Sequence, residues 1–229
     1  MKYEVIMFDA DDTLFDFKKA EKEAFKNTMV GYGINYDENY HYKIYDEINT
    51  ALWRDFDNGL ITQENLKYQR FKELSHRLGA GFDEYEFAEI YMKNLSQGSF
   101  LYEDSIPLVE SLKNDYRMTI ITNGLTDVQH NRVRNSAIGK YMEEVIISEE
   151  VGLSKPDFRI FDYALKKINY HDKSKVIMVG DSLTTDIQGG INSGIDTCWY
   201  NPDKNVNKSK FKPTYEISQL MMLKQILEN

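Results

Sequence analysis

Residues 3–15, YEVIMFDADDTLF, decide the fold, because an apolar run ends there abruptly in a loop with three acidic residues. Tyr3 to Phe8 has the composition of a strand buried on both faces. Three later segments repeat this design, each an apolar run that meets polar residues: RMTIIT at 117–122 before Asn123-Gly124, EVIIS at 144–148 before Glu149-Glu150, and KVIMV at 175–179 before Gly180-Asp181. Such strands predict a parallel sheet that is covered on both faces.

Segments with helical spacing separate these strands. Ile106, Val109 and Leu112 precede the second strand, and Phe158 and Phe161 begin a similar pattern before the fourth. The alternation predicts an α/β fold with a doubly wound parallel sheet, in which ligands bind beyond the carboxyl ends of the strands. The polar residues after each strand are therefore expected to meet at one site.

Residues 16–95 interrupt the alternation, since they contain no convincing strand. Their apolar spacing predicts amphipathic helices over 17–30, 38–57, 62–78 and 83–95. Thr62 and Asp83 have the character of N-caps. We therefore predict an α/β core domain from residues 1–15 and 96–229, and an inserted all-helical domain at 16–95.

The composition is that of a globular protein with an acidic surface. The 229 residues include 28 basic and 37 acidic side chains, a net charge of −9, which argues against nucleic acid as a partner. No apolar run approaches the roughly 20 residues of a bilayer span, and acidic residues interrupt the N-terminal segment. We expect a cytoplasmic protein without a membrane partner. Cys198 is the only cysteine, which excludes an intrachain disulfide framework, and the sequence leaves the oligomeric state open.

Two acidic elements stand at strand ends. Asp9 and Asp11 are two residues apart after the first strand, and Asp181 and Asp186 follow the fourth. A bare pair of acids in a loop is usually a solvated turn, but a doubly wound sheet brings these two loops to the same edge. Carboxylate oxygens are the ligands that Mg²⁺ prefers. The pattern therefore predicts a magnesium site.

Groups that can bind a phosphoryl group lie between the two acidic elements. Thr122 offers a hydroxyl and Lys155 an ammonium, both expected at the same sheet edge. A carboxylate can attack phosphorus only when cations neutralise the anionic phosphoryl oxygens, since like charges otherwise repel. The combination predicts phosphoryl transfer to a carboxylate.

In this order, the four elements resemble the motifs of the haloacid dehalogenase superfamily of phosphohydrolases: hhhhDxDx(T/V)L, hhh(S/T)N, a lysine, and hhhhGDxxxxD. The resemblance implies that Asp9 is the nucleophile and a Mg²⁺ ligand. It implies that Asp11 protonates the leaving oxygen, then activates water, and offers its main-chain carbonyl to the metal. Because dehalogenases of this superfamily lack the second aspartate, Asp11 favours phosphate chemistry.

The same resemblance assigns the remaining residues. Thr122 and Asn123 are expected to bind phosphate, and Lys155 to hold both the phosphate and the nucleophile. Asp181 is expected to ligate Mg²⁺ directly. Asp186 is expected to reach the metal through water or to orient Lys155.

Longer stretches resemble the pyrimidine-preferring bacterial 5'-nucleotidases of this superfamily, among them Leu52-Trp53, Asn58-Gly59, 147–152 and 189–192. This resemblance implies a Mg²⁺-dependent phosphomonoesterase that acts on canonical or noncanonical pyrimidine nucleoside monophosphates through an aspartyl-phosphate. The helical insert would be its C1-type cap. The alternatives are a sugar-phosphate or phosphoglycolate phosphatase with the same motifs, and a phosphate-binding regulatory protein without catalysis.

Two further positions have open interpretations. Trp53 is either a substrate contact or part of the interior of the helical domain. Arg132 follows the second motif on a predicted helix together with Gln129. We expect Arg132 to form a solvent-exposed salt bridge, with neutralisation of the substrate as the alternative.

Overall fold

The computed structural model describes residues 2–57 and 59–228. Asn58, which contributes to the nucleotidase resemblance, lies outside the described residues. The chain forms two compact units: a core unit, Met1–Phe17 with Ser99–Asn229, and a helical unit, Lys18–Gly98.

The described part of the core unit contains a six-stranded parallel sheet with the strand order β3-β2-β1-β4-β5-β6. The strands are β1 Val5–Phe8, β2 Arg117–Thr122, β3 Glu144–Ile147, β4 Val176–Gly180, β5 Asp196–Tyr200 and β6 Tyr215–Ile217. This arrangement confirms the predicted doubly wound α/β class. The chain builds β2 and β3 on one side of β1 and then β4 to β6 on the other. Sheets of this kind bind ligands beyond the carboxyl ends of the strands at the point where the direction of strand addition reverses, which here lies between β1 and β4.

Helices occupy the segments that the apolar periodicity predicts, and further short helices follow β2, β3 and β4. In the helical unit they are α1 Phe17–Gly31, α2 Lys43–Asp57, α3 Gln63–Leu78 and α4 Glu84–Ser96, with a π-helical turn at Glu38–Tyr42. In the core unit they are α5 Ser105–Leu112, α6 Thr126–Gln129, α7 Ser148–Val151, α8 Phe158–Lys167, α9 Gln188–Ser193 and α10 Leu223–Glu228. Further π-helical turns span His130–Arg134 and Leu183–Ile187, and 3₁₀ turns span Gly139–Tyr141, Lys173–Lys175 and Leu220–Met222.

Both faces of the sheet are buried, which explains why the strands have continuous apolar sequences. Val5 and Met7 pack into one hydrophobic cluster together with α8. Ile6 and Phe8 point to the opposite face and pack into a second cluster that includes α5 and α10. Complete burial of an aliphatic or aromatic side chain of this size stabilises the fold by about 1.5–3 kcal/mol. The central strand is therefore fixed from both sides, and the loop that follows it is held in place.

Helix α9 packs unusually close to its neighbours. A Cβ atom at Gly189 would lie 2.6 Å from the ring of Phe161 on α8, and one at Gly190 would lie 2.5 Å from the Thr197 methyl group on β5. The two glycines therefore permit a close approach that other residues would prevent.

A buried polar network crosses the interior of the helical unit. The Glu21 carboxylate, 6% exposed, accepts hydrogen bonds from the Tyr42 hydroxyl at 2.8 Å, the Asn49 amide at 2.8 Å and the Tyr45 hydroxyl at 3.3 Å. Arg70 in turn donates to the Asn49 side-chain oxygen at 3.0 Å. Burial raises the pKa of Glu21, and the donors that surround the carboxyl act against this shift.

The helix ends of the helical unit follow the sequence signals. Thr62 accepts a hydrogen bond from the backbone of Asn65 and caps α3, and Asp83 accepts from the backbone of Tyr85 and Glu86 and caps α4. Both N-cap predictions are confirmed. At the end of the core unit, the 3₁₀ turn Leu220–Met222 leads directly into α10.

The helices that the structure describes include none that is long and apolar enough to cross a membrane.

Candidate active site

The loop after β1 and the loop after β4 meet at the predicted edge of the sheet. Asp9 follows β1 and is 7% exposed, and its backbone N–H donates to the carbonyl of Val179 at 2.9 Å. The backbone N–H of Asp181 donates to the Thr13 hydroxyl at 3.1 Å, and the Trp199 indole donates to the Asp181 carbonyl at 2.7 Å. Main-chain contacts thus fix both acidic loops.

Three carboxylates converge at this edge. Carboxylate oxygens of Asp9, Asp181 and Asp186 all lie within 4.8 Å of one another. Asp186 is 1% exposed and accepts a hydrogen bond from the Ser182 backbone at 3.0 Å. Four residues are predicted at the metal site, and the structure brings together the side chains of three of them. The fourth, Asp11, is predicted to offer its main-chain carbonyl.

Lys155 is the ammonium group within this cluster. Its Nζ lies 2.5 Å from Asp9 Oδ1 and 2.7 Å from Asp186 Oδ1, and the residue is 3% exposed. Asp186 thus contacts Lys155 directly, and its role, through water to the metal or on Lys155, stays a prediction. Burial alone would lower the pKa of Lys155, but Asp186 and Asp9 outweigh burial and raise the pKa above its ordinary value.

The cluster carries more negative than positive charge when its carboxylates are ionised. Burial raises the pKa of Asp9 well above its ordinary value, and Asp186 and Asp181 add to the effect while Lys155 opposes it. Burial and the Asp186 charge raise the pKa of Asp181 to about 7. One ammonium cannot balance three carboxylates, so the pocket favours an additional cation.

The two polar residues after β2 have different partners. Thr122 is 2% exposed, and its hydroxyl accepts a hydrogen bond from Gln129 Nε2 at 2.9 Å. The Asn123 side chain donates to the Lys155 carbonyl at 2.8 Å and accepts from the Lys155 backbone N–H at 2.8 Å. The Asn123 amide thus holds the backbone of the lysine loop, a contact that the sequence motif did not indicate.

Asp11 lies on the same loop as Asp9 but has separate partners. Arg132 NH1 lies 2.8 Å from Asp11 Oδ1, and Gln129 Nε2 donates to Asp11 Oδ2 at 2.6 Å. Both donors are buried, Arg132 completely and Gln129 at 1% exposure. The expectation of a solvent-exposed salt bridge at Arg132 is therefore wrong, because the guanidinium reaches inward to Asp11. The one signal in the sequence is the spacing of three, which places Gln129 and Arg132 on one helix face.

The acidic pair after β3 supports the neighbouring loops. Glu149 accepts a hydrogen bond from the backbone N–H of Thr126 at 2.7 Å, at the start of α6. Glu150 forms an ion pair with Arg134 at 2.8 Å. These contacts connect the segment after β3 to the segment after β2.

Residues 6–200 match the haloacid dehalogenase-like hydrolase family. The chain belongs to this family, which confirms the predicted superfamily and the predicted class of enzyme. Among its relatives, pyrimidine 5'-nucleotidase YjjG of Escherichia coli is 33% identical, with coverage of 99% of both chains. Pyrimidine 5'-nucleotidase PynA of Streptococcus pneumoniae is 36% identical, with coverage of 95% of this chain and 92% of that protein. These relatives confirm the resemblance to the pyrimidine nucleotidase branch.

The fold also matches a solved structure over its full length. The crystal structure of HAD-hydrolase YfnB from Bacillus subtilis, bound to magnesium, superposes with a TM-score of 0.94 at 33% identity, and the match covers 100% of both chains. The doubly wound core with its helical insert is thus an architecture observed experimentally in a relative.

Proposed function

We propose that this chain is a Mg²⁺-dependent phosphomonoesterase that hydrolyses pyrimidine nucleoside 5'-monophosphates through an aspartyl-phosphate at Asp9. The observation that carries the proposal is the contact of Lys155 with both Asp9 and Asp186 beside Asp181. Full-length similarity to two relatives named pyrimidine 5'-nucleotidases supports the substrate class. The cytoplasmic location stays a prediction from the sequence.

The donor set fits a magnesium ion, since it consists of clustered carboxylates with an excess of negative charge. Asp9 and Asp181 would hold the ion with their carboxylates, Asp11 with its main-chain carbonyl, and Asp186 through water. When bound, Mg²⁺ would neutralise the phosphoryl oxygens and so permit a carboxylate to approach them. A magnesium-bound crystal structure of the YfnB relative supports this choice of metal.

In the first half of the reaction, a carboxylate oxygen of Asp9 forms a bond to phosphorus, and the bond from phosphorus to the nucleoside oxygen breaks. Asp11 gives a proton to the departing oxygen, which leaves as the nucleoside alcohol. Lys155 keeps Asp9 in place and balances its charge, and the Thr122 hydroxyl donates to a phosphoryl oxygen. Because the Asn123 side chain is bonded to the Lys155 backbone, we assign its phosphate contact to its backbone N–H.

In the second half, Asp11 accepts a proton from a water molecule, and the resulting hydroxide attacks phosphorus. The bond between Asp9 and phosphorus breaks, which releases inorganic phosphate and restores the Asp9 carboxylate. Asp11 then carries the proton needed for the next leaving group. The cycle therefore balances in atoms and charge without a further co-reactant.

A panel of phosphate monoesters tests this function. We expect phosphate release that requires Mg²⁺, with higher kcat/KM for dUMP, dTMP or UMP than for purine monophosphates, phosphoglycolate or hexose phosphates. If a sugar phosphate exceeded every pyrimidine nucleotide by about tenfold, the nucleotidase assignment would fall and the phosphatase assignment would remain. If no monoester of the panel released phosphate, the result would favour a phosphate-binding protein without catalysis.

In this scheme the core residues contact the phosphate, the metal and the departing oxygen but no other part of the leaving group, so we assign discrimination among leaving groups to the helical unit as the cap. Trp53 on α2 is partly buried, and its ring packs edge-on against Phe56 at 5.8 Å between centroids. If this ring contacts the substrate, Trp53→Ala should reduce the preference for dUMP over p-nitrophenyl phosphate by about threefold to tenfold. Tyr40→Ala, at a 53% exposed aromatic residue of the same unit, serves as the control and should leave the preference unchanged. An unchanged ratio in Trp53→Ala would place that ring in the packing of the helical unit.

A further inference from the structure

Both carboxylate oxygens of Asp11 accept hydrogen bonds from buried side chains. The side chain of Asp11 is 24% exposed, whereas that of Arg132 has no exposure. Arg132 bonds to Oδ1 and Gln129 to Oδ2. The two donors thus fix the plane of the carboxylate and leave its outer face to solvent.

The hydrogen-bond chemistry of Arg132 sets the orientation of the Gln129 amide. A guanidinium can only donate, so the Gln129 atom that faces Arg132 NH1 at 3.0 Å must be the acceptor Oε1. Nε2 then faces Asp11 and Thr122, as the distances of 2.6 Å and 2.9 Å require. Its two hydrogens serve these two acceptors, one each.

This orientation has a consequence for Thr122. Because the Thr122 oxygen accepts from Gln129, the proton of its own hydroxyl is directed elsewhere and can be donated. A phosphoryl oxygen offers acceptors only, so a hydroxyl with this polarity suits it. With one amide group, Gln129 therefore contacts both Asp11, the predicted acid/base residue, and Thr122, the predicted hydrogen-bond donor to the phosphate.

Gly124 provides the space that Gln129 occupies. A Cβ atom at Gly124 would lie 2.5 Å from Gln129 Cγ and 2.6 Å from Gln129 Nε2. The backbone of Gly124 does not have a positive φ angle, so the close approach, rather than the backbone conformation, excludes a larger residue. Gln129 cannot easily move aside, since it is 1% exposed and hydrogen-bonded to Asp11, Thr122 and Arg132.

We propose that Gln129 and Arg132 are positioning residues that hold the Asp11 carboxylate for proton transfer, and that Gln129 also orients the Thr122 hydroxyl towards the phosphoryl group. This inference rests on the proposed phosphomonoesterase function. Arg132 bonds Asp11 directly and also sets the orientation of the Gln129 amide. Gln129 acts through Asp11 and Thr122, so its loss should affect proton transfer and phosphate binding together.

The first test separates action through Asp11 from a general structural effect. Arg132→Met should lower kcat for dUMP by about tenfold to a hundredfold with little change in KM, and Arg132→Lys should restore part of the loss. In an Asp11→Asn background, Arg132→Met should change kcat by less than about threefold, since the carboxylate that Arg132 bonds directly is already gone. Arg134→Met is the matched control, because Arg134 pairs with Glu150 near the surface, and it should retain wild-type kinetics.

The second test uses Gln129 and Gly124. Gln129→Met should lower kcat and raise KM. It should raise KM also in the Asp11→Asn background, because the contact with Thr122 is still lost there. Gly124→Ala removes no functional group, yet it should reproduce these changes by displacing the amide. Gly31→Ala, which meets no atom within 4 Å, should have no effect.

The outcomes distinguish the two levels of the proposal. An active wild type in which the losses from Arg132→Met and Asp11→Asn multiply independently would overturn the positioning role and leave the phosphatase function standing. A wild type without Mg²⁺-dependent activity on any monoester would overturn both. If Arg132→Met fails to fold, as its circular dichroism would reveal, Gln129→Met and Arg132→Lys decide by the same comparison.

Discussion

The two units of the chain bury charge in opposite ways. In the helical unit, the Glu21 carboxylate is surrounded by donors, two tyrosine hydroxyls and an amide that is itself bonded to Arg70. In the core unit, three carboxylates share one ammonium, that of Lys155. A satisfied cluster stabilises one packing arrangement, whereas a cluster with excess charge of one sign needs a ligand. The difference separates a structural network from a candidate functional site without reference to any relative.

The largest expected effect comes from Asp9. Asp9→Asn should lower kcat by at least about a thousandfold, because an amide cannot form the acyl phosphate. The fold should persist, which thermal unfolding would verify, since the substitution removes one of the crowded negative charges. Asp203→Asn, at an exposed loop position, is the control. Retention of more than about a tenth of the activity, a barrier change below roughly 1.4 kcal/mol, would exclude covalent catalysis by Asp9.

Removal of the single ammonium should test the charge imbalance directly. Lys155→Met leaves the carboxylates of Asp9 and Asp186 without their cation, and we expect a loss of about 3–5 kcal/mol in the free energy of unfolding without metal. Urea unfolding in the presence of a chelator measures this change. Lys175→Met breaks an exposed pair with Glu4 and should change stability little. Equal stabilities for the two variants would show that the core cluster is no more strained than a surface pair.

Asp181 should affect metal binding more than folding. Asp181→Asn should raise the Mg²⁺ concentration required for half-maximal activity by about tenfold to a hundredfold, with partial recovery at high Mg²⁺. The increase in thermal midpoint that Mg²⁺ gives the wild type should also shrink. A structural Asp181 would instead give a lower midpoint with an unchanged response to Mg²⁺.

The smallest effect is expected for Glu21, whose two carboxylate oxygens both accept hydrogen bonds. Glu21→Gln should cost about 1–3 kcal/mol of unfolding free energy, since an amide hydrogen would face the surrounding donors, and the response to Mg²⁺ should equal that of the wild type. Burial raises the pKa of Glu21, so the folded state binds its proton more tightly than the unfolded state. The stability that Glu21 contributes is therefore present below the ordinary pKa of a glutamate and lost as pH rises through the raised value.

Urea unfolding of wild type and Glu21→Gln from about pH 4 to pH 8 checks this sign. The difference between the two proteins should become smaller as pH rises. A difference that grew with pH would mean that the folded state favours the ionised carboxylate, and the raised pKa would be wrong.

The sequence was sufficient to predict that the motif residues meet at one edge of the sheet, because each motif is short and its chemistry depends on residue type. Asp9 and Asp181 follow continuous apolar strands, and the topology of a parallel sheet brings such strand ends to one edge. Helix caps such as Thr62 were predictable for the same reason, since the capping partner lies three residues away. Local patterns thus predicted the sheet edge and the helix ends.

Features that depend on contacts between distant residues could not be predicted. The environment of Arg132 is set by Asp11, 121 residues earlier in the chain, and a charged helix residue without such a partner would face solvent. Similarly, the Asn123 side chain is hydrogen-bonded to the backbone of Lys155, 32 residues away. Strand β6 was missed because three residues, YEI, are too few to establish a period.

The close packing of α9 has a consequence for the order in which the site forms. A six-residue helix with two interior glycines has almost no intrinsic tendency to be helical, because each glycine costs about 1 kcal/mol relative to alanine and so short a helix scarcely repays its nucleation. Its helical state therefore depends on contact with α8 and β5. Since Asp186 lies in the turn that leads directly into α9, this carboxylate reaches its place only after the neighbouring elements have packed. In hydrogen exchange, the amides of α9 should thus open together with those of the Asp186 turn, as one unit that is less stable than the central strands.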